Sequence, residues 1–335
     1  MKYSFTPGVF PSVNTHTDWL TSRALPSKTI NDIKPIGGIG DFQFKIKDQG
    51  QLPYCTGMGA YIQEFWQAKE TGKYSELSAM FVYRMNKRHD GLPPGTEGST
   101  AKATMDTLRL FGVCQGILYP SNQGNYDGPI PTDEKLMSSA FENRILSYTR
   151  NPTLDEILIS LDGSKPVGFS MFLLSDFFRT TKGRVPKEIG GSFVGGHFMV
   201  ATNYNIDQEI VKVVQSWGTA EPTLNGYMEI PFTWFRYVIE DLGFPLLMDA
   251  YTALDYIPPK ELVLPKYLTV GDRIPTIEVN GQIVKTSDAV FAFIGSELGR
   301  TLVSVRTIEE ILNILTGKPA QVSFDQDTWT VKINI

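Results

Sequence analysis

The hydrophobic pattern of this 335-residue chain changes once, near residue 165, and that change limits the possible folds more than any other feature. Upstream, the apolar residues follow a helical repeat. Met58, Ile62, Phe65, Trp66 and Lys69 fall at i, i+4, i+7, i+8 and i+11, which predicts a helix from Cys55 with one apolar face closed by a lysine. Pro53, two residues earlier, suits an extended approach rather than a helix interior. Further helices are expected over residues 77–88 and 99–111, the latter stopped by Gly112. Thr153 and Glu156 form a capping box that opens another, with Leu154, Ile157, Leu158 and Leu161 on its buried side. Downstream, short β-type runs occupy residues 166–172, 197–203, 210–215 and 226–230, separated by glycine-rich turns. Helices first and strands second predict an α+β fold of two lobes, one helical and one β-rich, with a cleft where they meet.

The length suits two domains. Residues 1–25, rich in Pro, Ser and Thr, are expected to be an extended arm, and residues 26–255 the main domain. Residues 256–266 carry three prolines and are the natural linker. Residues 267–335 form a small β-rich α+β domain of different texture. In it Ile277 and Val279 lead into Asn280-Gly281, a hairpin signal. Thr307 and Glu310 make a capping box before a short helix over 308–315. Val322 and Phe324, a turn at 325–327, then Trp329, Val331 and Ile333 predict a closing hairpin.

Composition removes several classes of function. A formal net charge of -5 argues against nucleic acid as the main partner, which would call for a basic face. Two cysteines, Cys55 and Cys114, cannot staple a chain of this size, so the core must hold the fold. The N-terminus MKYSFTPGVFPSVN lacks the apolar stretch of a secretory signal, and no apolar run approaches a membrane span. The expectation is synthesis in the cytoplasm, with association with a virion or release by another route left open.

Three segments carry chemistry: DQGQLPYCTGMGA (48–60), GGHFMVATNY (195–204) and VVQSWGTAEPTLNGYMEIP (213–231). A thiol nucleophile acts as the thiolate, and a helix N-terminus favours negative charge, so Cys55 stands where its pKa is expected to fall. His197 lies 142 residues later (197 − 55), inside the window of roughly 130–150 that separates nucleophile and base in papain-like enzymes. The amide of Gln215 can hold the imidazole in one tautomer, and Trp217 can shield that contact from water.

These residues resemble the papain family of cysteine peptidases. Gln49 stands six positions before Cys55, the family's spacing for the side chain that completes the oxyanion hole. SWG (216–218) and NGY (225–227) are similar to the strand-turn-strand after the family's active-site amide. DQGQ, the Cys-Thr pair, LSAMFVYRMNKR, EGST, LRLFGVCQGILYP and KPVGFSMF more closely resemble the bacterial and phage-borne branches. The likeness spans about residues 40–253. It implies a two-lobed fold and a cysteine endopeptidase acting on peptides through a Cys55 thioester, with no metal and no cofactor. It also implies that Gly98 pairs with substrate backbone, and that Ser170, Gly196 and Phe198 surround the main specificity pocket. Two features depart from the family. Gln215 stands in place of its usual Asn, which predicts reduced activity or, as the rival reading, a non-catalytic binding or structural protein. Fewer than 50 residues precede the Gln49–Cys55 motif, too few for the family's inhibitory propeptide.

His16 and His89 have no metal-spaced partners and are expected to face solvent, whereas Cys114 is expected to be a core thiol. IEVNGQIVKT, LGRTLVSVRTIEEILN and VSFDQDTWTVKI, over about residues 270–335, resemble the small domain named after the N-terminal domain of copper amine oxidases. That resemblance implies a stalk-type accessory module serving attachment to a cell surface or virion, without copper.

Overall fold

The computed structural model describes residues 8–12, 28–239 and 243–254, with four strands beyond them. The chain divides into two compact units, Met1–Pro258 and Pro259–Ile335.

In the first unit the expected helices are present but shorter than their periodicity. Cys55–Gly59 is a 3₁₀ turn, and the α-helix begins only afterwards, as α1 (Ala60–Thr71). The turn is pressed against its neighbour: a Cβ on Gly57 would come 2.2 Å from the carbonyl oxygen of Ala79. Helix α1 is buried from Ala60 to Trp66, Gln63 and Glu64 included, so the single apolar face read from the sequence is too narrow. Glu64 is tolerated there because Lys47 Nζ (2.5 Å), the Tyr74 hydroxyl (2.9 Å) and the Leu77 N–H (2.8 Å) all donate to it. Ser78 caps α2 (Ala79–Asn86) and Thr100 caps α3 (Ala101–Leu110), each accepting a first-turn N–H. Among the described residues three α-helices are not legible in the sequence pattern: α4 (Gln123–Asp127), α5 (Glu134–Phe141) and, further along, a short helix Phe232–Arg236. Thr153 caps α6 (Leu154–Asp162) as its capping box predicts.

The strands are β1 (Val9–Phe10), β2 (Ile36–Gly38), β3 (Ser99–Thr100), β4 (Ser147–Arg150), β5 (Val167–Leu174), β6 (Phe193–Asn205), β7 (Ile210–Val214), β8 (Tyr227–Pro231), β9 (Val238–Ile239), β10 (Phe244–Pro245) and β11 (Leu247–Leu254). Seven of them form one sheet in the order β4-β11-β5-β6-β7-β8, with β2 pairing to the far end of β6. Every pairing in it is antiparallel.

Strand β6 separates two cores. Phe198 and Val200 belong to the core shared with α1, α2 and α3, while Met199 and Ala201 belong to the core under α6. Side chains alternate across a strand, so one strand can serve both lobes. Full burial of Phe198, Met199 or Val200 contributes about 1.5–3 kcal/mol each. The lobes are therefore joined along β6, and the 3₁₀ turn carrying Cys55 packs against it.

In the second unit, β12 (Thr276–Val279), β13 (Gln282–Val284), β14 (Gln321–Asp325) and β15 (Thr330–Asn334) form a sheet in the order β13-β12-β15-β14. Strands β12 and β13 pair antiparallel on either side of Asn280-Gly281, and β12 pairs parallel to β15. The segment 256–266, the helix expected over 308–315 and His16 lie outside the described residues.

Candidate active site

The 3₁₀ turn and β6 bring Cys55 and the His197 strand together where the lobes join, and both residues are fully buried. Backbone N–H groups of Phe198, Thr56, Cys55 itself and Gly8 surround the sulfur. Phe198 follows His197 directly, so the thiol faces the strand at the histidine.

Strand β7 ends at Val214, and the next residue, Gln215, presents its side-chain oxygen to His197 Nε2 at 3.2 Å. A carbonyl oxygen can only accept, so Nε2 carries the proton and Nδ1 is the basic nitrogen of the neutral ring. The Gln215 amide nitrogen donates in turn to the thioether sulfur of Met228, at 2.8 Å. Trp217 stacks on the imidazole with centroids 4.9 Å apart, and Phe178 stacks on Trp217 at 5.6 Å. The extra methylene of Gln over Asn is thus used: it spans from the backbone to both His197 and Met228. Shortening the side chain by about 1.3 Å would open the 3.2 Å contact. Gln215→Asn should accordingly lower kcat/KM, by roughly tenfold per 1.4 kcal/mol of lost orientation. Steady-state kinetics of the pair, compared in a chain whose cleft admits substrate, check this, and an equally fast Asn variant would show that Gln215 does not position the ring.

Gln49 is tied to the same strand end. Its N–H donates to Ser216 O at 2.8 Å, its side-chain oxygen accepts from the Ser216 hydroxyl, and its amide nitrogen donates to Leu52 O at 2.8 Å. Asp48 bridges to Trp217.

The remaining sequence-derived positions are spread around this centre. Gly98 is buried with φ +82°, its N–H donating to the Tyr83 hydroxyl at 3.2 Å. Ser170 sits in β5 opposite Phe198 and beside Asp249 of β11. The ring of Phe198 faces the helical lobe and lies over Gly168. Gly196 immediately precedes His197. His89 corrects its expectation: it is half-buried, with Nε2 3.1 Å from Ala103 O and its ring tilted on Phe111. Cys114 is a buried thiol in the helical-lobe core. Among the described residues no cluster of three His, Cys, Asp or Glu side chains could hold a metal.

Two expectations are overturned at the thiol. The first concerns access. Although no propeptide is expected, residues 8–12 of the arm lie across the cleft at Cys55. The Gly8 N–H donates to Gly196 O (3.2 Å), and the Ser99 N–H donates to Gly8 O (3.0 Å). β1 pairs parallel to β3. The prolines in this stretch signal extended chain, but nothing in the sequence signals where that chain docks.

The second concerns charge. Burial pushes the Cys55 thiol up to about 12, against the pull of the surrounding N–H groups, and pushes His197 down to about 4, against its bond to Gln215. A five-residue 3₁₀ turn offers little dipole to oppose desolvation, so in this closed form the pair is neutral rather than thiolate and imidazolium. A consequence is acid sensitivity. Between His197's ordinary 6.5 and about 4 the unfolded chain binds a proton that the folded chain does not. Folded stability should therefore fall as pH drops through that window, by on the order of 3 kcal/mol from this one group. Calorimetry from pH 7 to pH 4 should show a steeper Tm decline than for His197→Gln; equal slopes would mean that His197 is not held neutral.

No protein-family model matches the chain. An uncharacterized peptidase C1-like protein of Acanthamoeba polyphaga mimivirus is 23% identical over 208 residues, a match covering 58% of this chain and 65% of that protein's own length. Xylellain, a cysteine protease from Xylella fastidiosa, superposes with a TM-score of 0.65 at 17% identity, covering 76% of this chain and 97% of that one. Digestive procathepsin L from Tenebrio molitor larval midgut gives 0.53 at 16% identity, covering 69% and 73%. A Carica candamarcensis cysteine protease gives 0.51 at 16%, covering 67% and 100%. The chain has the two-lobed papain-like cysteine peptidase fold.

Proposed function

We propose that the protein is a cysteine endopeptidase with Cys55 as nucleophile and His197 as its base. The sulfur of Cys55 attacks the scissile carbonyl carbon while its proton passes to His197 Nδ1. The resulting oxyanion is held by the Cys55 N–H and the Gln49 amide. His197 then protonates the leaving amine, the C–N bond breaks and a thioester remains on Cys55. Water, deprotonated by His197, attacks the thioester, releases the acid and restores the thiol. Gln215 fixes the tautomer that this cycle needs, and Trp217 keeps water off that contact. His197 carries every proton transfer in this cycle, so the reaction calls for no cofactor. Gly98 and Gly196 would offer backbone edges to a peptide, with Ser170 and Phe198 behind them.

The observation carrying this reading is the Gln215–His197 contact, stacked by Trp217, on the strand against which Cys55 packs. We further propose that residues 256–266 link this domain to a stalk-type module at 267–335 serving attachment, and that the domain belongs with the bacterial and phage-borne branches.

A fluorogenic peptide library and an epoxide probe for activated thiols test the catalytic reading, applied to the native chain and to Gly8→Val. Turnover and labelling confined to Cys55 are expected in the variant. If both proteins hydrolyse nothing and the probe labels neither, the chain is a binding or structural protein with a papain-like groove.

A further inference from the structure

One buried phenol stands between the two segments that hold the reacting groups. Residues 47–49 and 216–218 run side by side: the Gln49 N–H donates to Ser216 O at 2.8 Å, the Gly218 N–H donates to Lys47 O at 3.2 Å, and Asp48 bridges to Trp217. Where this pairing meets α1, the hydroxyl of the fully buried Tyr61 accepts the Lys47 N–H at 2.7 Å and donates to Gln215 O at 3.3 Å. The direction of both bonds is fixed. A backbone N–H only donates and a carbonyl only accepts, so the single phenol proton lies toward Gln215. Burial pushes the phenol well above its ordinary range, so the proton stays in place.

The ring is held on both sides. Phe44 packs on it with centroids 4.9 Å apart, and Lys47 Nζ lies 4.7 Å from its centroid. That ammonium is paired with Glu64, three residues further along the same helix, at 2.5 Å. Helix, ring and residue 47 therefore move as one piece. The carbonyl that Tyr61 grips belongs to the peptide unit joining Gln215 to Ser216, and both of these side chains are engaged. Gln215 reaches His197 at 3.2 Å, and the Ser216 hydroxyl holds the side-chain oxygen of Gln49. Tyr61 itself follows Cys55 by six residues (61 − 55), on the helix that continues the Cys55 turn. Sulfur, imidazole and oxyanion donor come from three separate segments. One hydroxyl binds two of them from the helix that carries the third.

We propose that Tyr61 is a positioning residue, whose hydroxyl holds the Gln49 amide and the His197 ring in register with Cys55. It takes no part in bond-making and acts through Gln215 and residues 47–49. Phenylalanine would fill the same space and make neither bond. The catalytic meaning of this role rests on the peptidase reading above, but its first test does not, because ring position is read without turnover.

The test is Tyr61→Phe in the full-length chain, set against Tyr204→Phe. Tyr204 is another buried phenol with two hydrogen bonds, to Lys34 O and Asp162, near the end of β6 that pairs with β2. Its variant reports what losing such bonds does through stability alone. With histidine labelled by nitrogen-15, the two ring nitrogens of His197, neutral at pH 7, give widely separated signals when one tautomer is held. His197→Gln identifies them among the chain's three histidines. Tyr61→Phe should draw the two signals together as the second tautomer becomes populated, and Tyr204→Phe should leave them in place. The second readout is steady-state kinetics in Gly8→Val, because a side chain at position 8 has no room in the cleft: its Cβ would lie 2.8 Å from Pro53 O and 2.9 Å from Cys55 Sγ. There Tyr61→Phe should lower kcat by roughly 10–10²-fold, the effect of a small misplacement, with KM within about twofold. Unchanged His197 signals in a folded Tyr61→Phe chain overturn the proposal, as does an equal change in both phenol variants or an unchanged kcat in an active chain. A Tyr61→Phe chain that fails to fold assigns the hydroxyl to stability and overturns it too. Altered signals in chains that hydrolyse no peptide would keep the positioning role and sink only the peptidase.

Discussion

Replacing His197 with alanine in a chain whose cleft is open should lower kcat for peptide hydrolysis by roughly 10²–10⁴-fold, the range over which a positioned general base acts. Cys55→Ala should remove turnover altogether. The reason lies in the division of labour at the junction of the lobes. The sulfur alone can form the thioester, and the ring alone can take the thiol proton and later give it to the amine. Residues acting as one unit lose their effect together, so the double variant should be no worse than Cys55→Ala. His197→Ala should also move the inflection of Cys55 alkylation upward toward the ordinary thiol value of about 8.5, since no imidazolium remains to stabilise the thiolate. Assays belong in the native and Gly8→Val backgrounds in parallel. Persistent hydrolysis in Cys55→Ala would assign any activity to another group and remove the thioester mechanism.

The sequence made the main fold legible because its two periods follow from burial. Helices α2, α3 and α6 show a helical repeat and recognisable caps at Ser78, Thr100 and Thr153. Strand β11 was missed, although eight residues long, because both of its faces are buried. Tyr251 and Ala253 enter one core and Ala250 the other, so the alternation that marks a half-exposed strand is absent. Periodicity predicts an α-helix from Cys55 because it does not register a 3₁₀ turn forced by the close approach of Gly57 to Ala79.

The candidate site was legible only where residue types imply chemistry. Cys55, His197, Gln215 and Gln49 carry groups whose reactions are known, and motif spacing paired them. Gly8 carries no side chain, and its role comes from a neighbour 47 residues along the chain (55 − 8). Met228 and Ser216 were missed for a related reason: a thioether and a hydroxyl become site residues only when the fold places them against an amide. The thiol's charge state is not legible in the sequence because spacing shows nearby charges and dipoles but not the loss of water. Burial outweighs four surrounding N–H groups at Cys55 while the arm is in place.

Gln49→Ala should lower kcat by about 10²–10³-fold with little change in KM, the effect of removing one oxyanion donor. The orientation of the Gln49 amide follows from its partners. Leu52 offers a carbonyl, which only accepts, so the side-chain nitrogen must face it, and the Ser216 hydroxyl then donates to the oxygen. An amide nitrogen has two hydrogens, and one bond to Leu52 leaves the second to meet an oxyanion. Gln49→Glu keeps the shape but sets a carboxylate against the Leu52 carbonyl and puts a negative charge beside a developing oxyanion. It should be at least as damaging as alanine. Ser216→Ala should fall between native and Gln49→Ala, because the amide keeps its donor but loses the bond that fixes its plane. The decisive contrast is with alkylation. Iodoacetamide forms no oxyanion at this place, so Gln49→Ala should alkylate at Cys55 as fast as its parent while hydrolysis collapses. If instead both rates fall together, Gln49 acts by holding the Cys55 turn in shape; if kcat is unchanged, the oxyanion lies elsewhere.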